Sequence, residues 1–392
     1  MTTVGPPDSP RLPDLAGRKL IIAGGGTGGH IYPGLAVAHL WVSAGGEVAF
    51  AGVPGNLESR IVPEAGFPFL PVEVHGLTRG RGLSARLRLM RSLALLVSLA
   101  PLRQGLAAIR CFSPDAALGI GGYVSGPVLL AARLCGIPTM ILQLDSHPGI
   151  ANRWSGCFAT RVGVALPEYA RQFARSDRIH VVGNPIRAEV MSASRDDGLA
   201  AFALESDRRT ILAFGGSLGS RAINQAFVDA LRMLSHRPGW ALGHQVLHVT
   251  GRANLITLSP VEVEEMGLLY RSMDYCDQMP LALAAADLAI CRSGATTLAE
   301  ITARGVPAIL IPWSGAADNH QEGNARALER RGAATIILDS ELSPNGLAAG
   351  IDEMLSQPYR LVEMAAASRS AGRPDAAQQV VDVLASISAE RL

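Results

Sequence analysis

The chain has 392 residues, which is enough for about two domains of ordinary size. Hydrophobic residues make up 48% of it and charged residues 18%, so a sizeable core can form and wholesale disorder is excluded. The formal net charge is 35 − 34 = +1, far from the basic excess typical of nucleic-acid-binding proteins, and we expect no nucleic-acid partner.

The five cysteines are odd in number and form no Cys-x-x-Cys pair. This pattern disfavours a disulfide scaffold or a zinc ribbon, favours a reducing compartment, and leads us to expect no metal site. Residues 1–17 are rich in proline and lack a basic segment followed by an apolar one, so we predict a flexible tail rather than a signal peptide. No apolar stretch is long and clean enough to predict a transmembrane helix.

From Lys19 the chain alternates short apolar runs with longer helical patterns. Residues 19–24 are predicted to form a strand, residues 33–44 a helix and residues 47–52 a second strand. Further strands are predicted at 116–120, 139–144, 162–164 and 180–182. Continuous apolar strands that alternate with helices indicate a parallel sheet covered on both faces.

The same pattern restarts at residues 208–216, a strand that runs into a second glycine-rich loop, followed by a helix over 221–234. Later strands are predicted at 244–251, 268–275, 287–294, 306–313 and 333–339. The repeat predicts an α/β protein of two doubly wound, Rossmann-like domains, residues 18–187 and 188–371. We expect the C-terminal helix, within 372–392, to pack back on the first domain.

The first glycine-rich loop, residues 24–29, follows a strand and opens a helix. Glycines let the backbone approach an anion, and a helix start supplies unpaired N–H groups. No Walker lysine follows the loop, and we expect neither NAD nor ATP as a cofactor. His30, at the start of the helix, is a candidate general base. A tight turn without a ligand and a structural histidine fit the same residues.

A second loop, residues 215–220, contains Ser217, whose hydroxyl can donate a hydrogen bond to a phosphate. A third segment, residues 291–300, ends a strand and starts a helix that carries Glu300 one to two turns in. A helix start suits a diphosphate, and a carboxylate just inside it suits a ribose diol. Glu300 could equally complement the helix dipole. Side chains of the polar loop 312–321 can form hydrogen bonds with sugar hydroxyls, or they can cap the following helix.

No acidic residue lies between Glu73 and Asp115. Apolar side chains recur at helical spacing within 83–97. The segment between Glu73 and Asp115 contains seven arginines: Arg79, Arg81, Arg86, Arg88, Arg91, Arg103 and Arg110. A basic amphipathic helix is typical of contact with an anionic membrane surface, although a core-facing helix with a solvated side fits the same pattern.

Seven motifs together resemble the MurG family of peptidoglycan glycosyltransferases. They are GGGTGGHIYPGLAVA (24–38), GGYVSGP (121–127), GNPIR (183–187), GGSLGSRAIN (215–224), CRSGATTLAE (291–300), GVPAILIPW (305–313) and AADNHQEGNA (316–325). The match extends over residues 19–370. It implies a GT-B fold, with two domains facing a central cleft. It also implies inverting transfer of N-acetylglucosamine (GlcNAc) from UDP-GlcNAc to undecaprenyl-diphosphoryl-MurNAc-pentapeptide (lipid I), which gives lipid II.

The resemblance also implies roles for individual residues. Thr27, Gly28 and Gly29 would lie at the donor diphosphate and the acceptor side, with Glu300 on the ribose and Gln321 on the sugar. The full implied UDP-GlcNAc set is Thr27, Gly28, Gly29, Arg187, Ser217, Ala295, Thr296, Thr297, Leu298, Ala299, Glu300 and Gln321. Residues implied in the cleft or near the acceptor are His30, Tyr123, Asn152, Asn224 and Arg292. Asp145 is a further candidate there and the alternative general base to His30, because it places a carboxylate where the family has an amide.

The chain departs from the family at Leu142-Gln143-Leu144-Asp145, where the family has His-Glu-Gln-Asn. This difference affects residues expected to bind the acceptor. An alternative function is therefore that of a related transferase with another lipid acceptor, such as a diacylglycerol. Two further functions compete with the transferase: a nucleotide-sugar-binding paralogue without turnover, and a dehydrogenase. The resemblance further implies a peripheral location on the cytoplasmic face of the bacterial inner membrane, with cell-wall synthesis or division proteins as partners.

Overall fold

The computed structural model describes residues 12–26, 28–74, 99–216 and 219–389. The chain divides into two compact units. The first consists of Met1–Gln143, Pro148–Val182 and Asp375–Leu392, and the second of Leu144–His147 and Gly183–Pro374. The basic amphipathic helix predicted within residues 79–97 lies outside the described residues.

The first unit is built on a parallel sheet of seven strands. The strands are β1 Lys19–Gly24, β2 Glu47–Gly52, β3 Phe69–Pro71, β4 Ala116–Gly121, β5 Thr139–Gln143, β6 Arg161–Val164 and β7 Ile179–Val181. Their order across the sheet is β3-β2-β1-β4-β5-β6-β7, so the winding direction reverses between β1 and β4. Leu20, Ile21 and Ile22 of β1 are fully buried, because helices cover both faces of the sheet.

Helices connect these strands. They are α1 Gly28–Ser43, α2 Glu58–Glu64, α3 Leu99–Phe112, α4 Ser125–Leu134 and α5 Ile150–Ser155, with 3₁₀ turns at Pro167–Gln172 and Ser176–Arg178. The sequence predicts that α1 begins at Pro33, but it begins five residues earlier. The two glycines at its start read as loop residues, yet they form the first turn of the helix. This difference places His30 inside that first turn.

The second unit contains a parallel six-stranded sheet. Its strands are β8 Arg209–Phe214, β9 His244–Val249, β10 Leu269–Met273, β11 Leu288–Cys291, β12 Ala308–Leu310 and β13 Ala334–Ile336. The order β10-β9-β8-β11-β12-β13 reverses between β8 and β11. The predicted fold class, α/β with two doubly wound sheets of the GT-B type, is confirmed. Each strand of this sheet ends two or three residues before its predicted end.

Ten helices of the second unit are described. They are α6 Ala188–Ser192, α7 Arg195–Ala201, α8 Arg221–Ser235, α9 Trp240–Gly243, α10 Pro260–Met266, α11 Met279–Ala285, α12 Ala295–Arg304, α13 His320–Glu329, α14 Pro344–Ser356 and α15 Pro358–Ala371. The last helix, α16 Ala376–Ser388, belongs to the first unit, where it packs against α1. Among the described residues, no helix has the length and apolar character needed to cross a bilayer.

Residues 12–18 and helix α16, near the two ends of the chain, contribute to the first unit. Val380, Val381 and Leu384 of α16 are fully buried, and the Arg18 guanidinium donates a hydrogen bond of 3.0 Å to the Ser388 carbonyl. Leu15 is also buried, and its N–H donates to the Ala44 carbonyl at 2.9 Å. The structured chain therefore includes part of the segment that the sequence predicts as a tail.

A buried polar network in the second unit joins β9, β10 and α8. His248 is fully buried, with Nε2 3.2 Å from Asn224 Oδ1 and Nδ1 2.8 Å from the Tyr270 hydroxyl. The Asn224 amide in turn donates to the carbonyls of Thr250 and Asn254. A neutral imidazole satisfies both contacts, donating from Nε2 and accepting at Nδ1. Burial lowers the pKa of His248 from 6.5 to about 4, so the ring stays neutral in the folded chain.

This network predicts a pH-dependent loss of stability. Between pH 6.5 and about 4 the unfolded chain binds a proton at His248 that the folded chain does not, so the free energy of unfolding falls as the pH falls. The full difference amounts to about 3 kcal/mol. In urea titrations at pH 7 and pH 4.5, we expect His248→Gln to lose less stability on acidification than the unmodified chain. Equal losses in the two proteins would contradict the assignment.

Candidate active site

The first glycine-rich loop lies at the carboxyl end of β1, where the sheet reverses. The loop rests on the side chain of Glu58, which is buried. Glu58 accepts hydrogen bonds from the N–H groups of Gly26, at 3.0 Å, and Val53, at 3.2 Å. A Cβ on Gly25 would lie 2.1 Å from Glu58 Oε1, so only glycine fits there. The carboxylate therefore holds the loop in shape by direct backbone contact.

His30 lies in the first turn of α1, beside the end of β4. Its Nδ1 is 3.3 Å from the Gly25 carbonyl oxygen. A carbonyl can only accept, so this contact places the proton on Nδ1 and the lone pair on Nε2. The ring also packs on Gly121, where a Cβ would come within 2.9 Å of Nε2. The imidazole is thus oriented by the carboxyl ends of the two strands that flank the reversal.

The other first-unit residues named from the resemblance differ in exposure. Tyr123 follows β4 and is 37% exposed, so its ring is open to a ligand. Asn152, in α5, is buried, and its amide donates to the Leu142 carbonyl and to Gln143 Oε1. Asn152 therefore braces the end of β5. Gly28 and Gly29 form the first turn of α1, whereas Thr27 lies outside the described residues.

In the second unit, α12 starts directly after β11, at the reversal between β8 and β11. Ala295, Thr296, Thr297, Leu298 and Ala299 form its first turns. Gly294 is the N-cap residue of α12. Because glycine has no side chain, it supplies no side-chain cap for the N–H groups of the first turn. The corresponding loop after β8 contains Ser217, which lies outside the described residues.

Glu300, in the second turn of α12, is 7% exposed and pairs with Arg187. The Nε and Nη2 groups of Arg187 lie 3.1 and 3.0 Å from Glu300 Oε1. Burial raises the pKa of Glu300 above its usual value, and the nearby guanidinium opposes that rise. A carboxylate can accept further hydrogen bonds at its second oxygen. The structure thus brings together two residues that are 113 positions apart in the sequence.

Arg292 follows β11 and joins three segments of the second unit. Its guanidinium donates to Ser220 Oγ at 2.9 Å, to the Ile311 carbonyl at 3.0 Å and to Asp339 Oδ1 at 2.7 Å. Partial burial raises the pKa of Asp339, but hydrogen bonds from Arg292 and Ser314 outweigh it, and the net pKa is below the usual value. Arg292 therefore fixes the loops that surround the start of α12.

Gln321 lies in the first turn of α13. Its Oε1 accepts from the Trp313 N–H at 3.0 Å, and its backbone carbonyl accepts from the buried Ser293 hydroxyl at 2.7 Å. These contacts tie α13 to the end of β11 and orient the Gln321 amide. The Nε2 group is the part of this side chain that can donate to a sugar hydroxyl.

Residues 144–147, which include the end of the segment 142–145 that departs from the family, are bound to α13. Asn324 donates to Asp145 Oδ1 at 2.9 Å and accepts from the Ser146 N–H at 2.7 Å. The Ser146 hydroxyl donates to the His320 carbonyl at 2.8 Å. Asp145 therefore acts in the packing of the second unit, and the buried Asn224 acts in the network with His248.

Several residues of these sites are not evident from sequence. Sequence motifs do not point to the side chains of Glu58, Ser293, Asn324 and Asp339, because each contacts residues in other segments of the chain. Glu58 is one acidic residue in the helix that follows β2, and its position after a strand end is the one sequence feature that could have drawn attention to it. Among the described residues there is no group of three or more His, Cys, Asp or Glu side chains suited to hold a metal ion.

Comparisons with known proteins agree with this arrangement. Residues 20–164 match the glycosyltransferase family 28 N-terminal domain, and residues 210–380 match its C-terminal domain. A Halothermothrix orenii protein is 41% identical over 374 residues, covering 93% of this chain and 98% of its own length. A Myxococcus xanthus relative is 38% identical and is covered to 92%. Both are named UDP-N-acetylglucosamine–N-acetylmuramyl-(pentapeptide) pyrophosphoryl-undecaprenol N-acetylglucosamine transferase.

The chain belongs to the MurG family of glycosyltransferases. Among solved structures, Acinetobacter baumannii MurG is similar to it, with 28% identity, a TM-score of 0.69, and coverage of 94% of this chain and 99% of that one. The glycosyltransferase of kitacinnamycin has a TM-score of 0.67 at 18% identity, which shows a shared fold alone.

The Glu58 contacts generate a prediction about the glycine-rich loop. Glu58→Gln replaces one acceptor oxygen by an NH₂ group, so one of the two backbone N–H groups of Gly26 and Val53 loses its partner. We expect the free energy of unfolding to fall by about 1–3 kcal/mol. The control is Glu64→Gln, an exposed position in the same helix. Urea titration compares the two variants, and equal stabilities would show that the carboxylate does not support the loop.

Proposed function

We propose that this chain catalyses the transfer of GlcNAc from UDP-GlcNAc to the MurNAc of lipid I, which gives lipid II in peptidoglycan synthesis. The observation that carries the proposal is 41% identity over 93% of the chain to a relative named for this reaction. The reversals of strand order at β1/β4 and at β8/β11 also support the proposal. Each places a glycine-rich loop and a helix start at the carboxyl ends of parallel strands.

The donor is proposed to bind at the second unit. The start of α12 would face the diphosphate, since its N–H groups and positive dipole end favour an anion. Glu300, held by Arg187, would accept hydrogen bonds from the ribose hydroxyls, and the Gln321 amide would donate to the sugar. As the bond between the sugar and UDP breaks, negative charge develops on the leaving diphosphate, and fixed backbone donors stabilise such charge.

The acceptor hydroxyl must lose its proton as it attacks the anomeric carbon. A single in-line displacement forms the new glycosidic bond, releases UDP and inverts the configuration. His30 is proposed to take the proton at Nε2, because the Gly25 carbonyl holds the other nitrogen in its protonated form. The departing UDP leaves with the electron pair of the broken bond, so no cofactor is needed to balance the reaction.

We also propose a peripheral position on the cytoplasmic face of the inner membrane, where the acceptor lipid resides. The acid-free arginine window between Glu73 and Asp115 supports contact with an anionic membrane surface. Cell-wall synthesis or division proteins are the proposed protein partners.

The decisive assay supplies radiolabelled UDP-GlcNAc with either a short-chain lipid I analogue or a diacylglycerol. We expect label in the lipid I product alone. Transfer to the diacylglycerol instead would identify a transferase with another acceptor, which the altered segment 142–145 keeps open. Donor binding without transfer or hydrolysis would identify a binding protein, and binding of NAD would favour a dehydrogenase.

Glu300→Gln tests the donor site. The amide keeps the size of the side chain but loses the charge that pairs with Arg187 and accepts from the ribose. Losing such a bond costs about 1.5–3 kcal/mol, so the KM for UDP-GlcNAc should rise about 10- to 150-fold while the acceptor KM changes little. Glu329→Gln, a surface position in the same unit, is the control. An unchanged donor KM and kcat would remove Glu300 from the site.

His30→Ala tests the proposed base. Loss of a general base commonly lowers the rate by about 10²–10⁴, and we expect kcat to fall within that range while UDP binding persists. The matched control is His39→Ala, an exposed histidine on the same helix. A near-normal kcat would exclude His30 as the base. A large drop in melting temperature relative to the control would instead assign it a structural role.

A further inference from the structure

A charged pocket lies in the first unit, away from its glycine-rich loop. Its volume is about 420 Å³. It is bordered by the end of α4, the segment that leads into β6 and the 3₁₀ turn that leads into β7. The residues that line it are Arg133, Phe158, Thr160, Arg161, Arg175, Asp177 and Arg178.

The charge of this pocket is strongly positive. Four arginines and one aspartate give it a formal charge of 4 − 1 = +3. The acid, Asp177, is exposed and lies 3.4 Å from Arg175 Nη2, so it offsets one of the four charges at most. Burial and the charge of Arg161 both lower the pKa of the neighbouring His180, in agreement with a positive potential at this edge.

Two of the arginines are fixed by the backbone around the pocket. Arg161 Nη1 donates to the Thr160 carbonyl at 3.0 Å, and Arg178 Nη1 donates to the Ala159 carbonyl at 2.9 Å. These bonds orient both guanidinium groups at the border of the pocket, and each guanidinium presents its N–H donors in a planar fork. Forked donors held in this way suit a phosphate, which accepts several charge-assisted hydrogen bonds at once.

The position of the pocket separates it from the candidate active site. Arg161 is the first residue of β6, and Arg178 immediately precedes β7. Both therefore lie at the amino ends of parallel strands. The glycine-rich loop and His30 follow β1, so they lie at the carboxyl ends of the strands, on the opposite side of the same sheet. A ligand in this pocket cannot be the reacting diphosphate.

We infer that this pocket is an accessory binding site for a phosphate group, carried by a phospholipid headgroup or by a small soluble phosphate. The site would bind the anion through Arg133 and Arg175 at its exposed rim and through the backbone-anchored Arg161 and Arg178. Phe158 supplies an apolar wall beside them. The inference does not depend on the transferase reaction, because no residue of the pocket takes part in it.

The test uses the full chain with Arg133 and Arg175 both changed to Gln, since both are exposed. The control changes Arg330 and Arg373 to Gln, which removes the same charge from other exposed positions. A third protein carries Arg133→Lys and Arg175→Lys, which keep the charge. Inorganic phosphate is titrated calorimetrically with UDP-GlcNAc present to occupy the donor site. In parallel, flotation measures binding to phosphatidylglycerol–phosphatidylcholine vesicles and to phosphatidylcholine vesicles.

We expect the Gln pair to weaken binding about tenfold in at least one arm, with the control unchanged and the Lys pair intermediate. Loss in the phosphate arm alone identifies a soluble phosphate, and loss in the anionic-vesicle arm alone identifies a lipid headgroup. If the Gln pair and the control bind equally in both arms, or if neither probe binds the unmodified chain, the inference is overturned. Thermal melting of all three variants checks that each is folded.

Discussion

The reversal of strand order in each parallel sheet is the constraint on which the sites depend. At β1/β4 and at β8/β11 the connecting chains leave neighbouring strands in opposite directions, which opens a crevice at the carboxyl ends. His30 follows β1, Tyr123 follows β4, and the start of α12 follows β11. Residues that are far apart in sequence are therefore brought to the same edge of a sheet before any side-chain contact is considered.

Buried carboxylates then fix the local geometry at both edges, but in different ways. Glu58 receives two backbone N–H groups and shapes the glycine-rich loop. Glu300 receives a guanidinium, and the balance between burial and Arg187 sets its charge. The first arrangement uses the acid as part of the scaffold. The second leaves a charged acceptor near a helix start, where a ligand with hydroxyl groups can bind.

The architecture could be predicted from sequence because its determinants are local. Continuous apolar runs, glycines and helical periodicity lie within a few residues of one another, and they located both doubly wound sheets. The start of α1 cannot be predicted in this way, because Gly28 and Gly29 have low helix propensity, while the tertiary fold holds them in the first turn.

The roles of the polar residues were harder to predict because their partners are distant. Arg292 bonds to Asp339, 47 positions away, and Asn324 bonds to Asp145, 179 positions away. Asn152 and Asn224, implied at the cleft by resemblance, are buried and use their amides to support strand ends and loops. The sequence shows that these asparagines are present, whereas the structure shows which groups their side chains contact.

The central claim is that the donor binds at the β8/β11 reversal of the second unit. Amide hydrogen exchange of the full chain, with and without UDP-GlcNAc, tests it directly because it reports binding residue by residue. We expect slower exchange on donor addition at residues 214–222 and 292–301, with little change along β9 and β10. Protection confined to residues 24–30, with the second unit unchanged, would contradict the account.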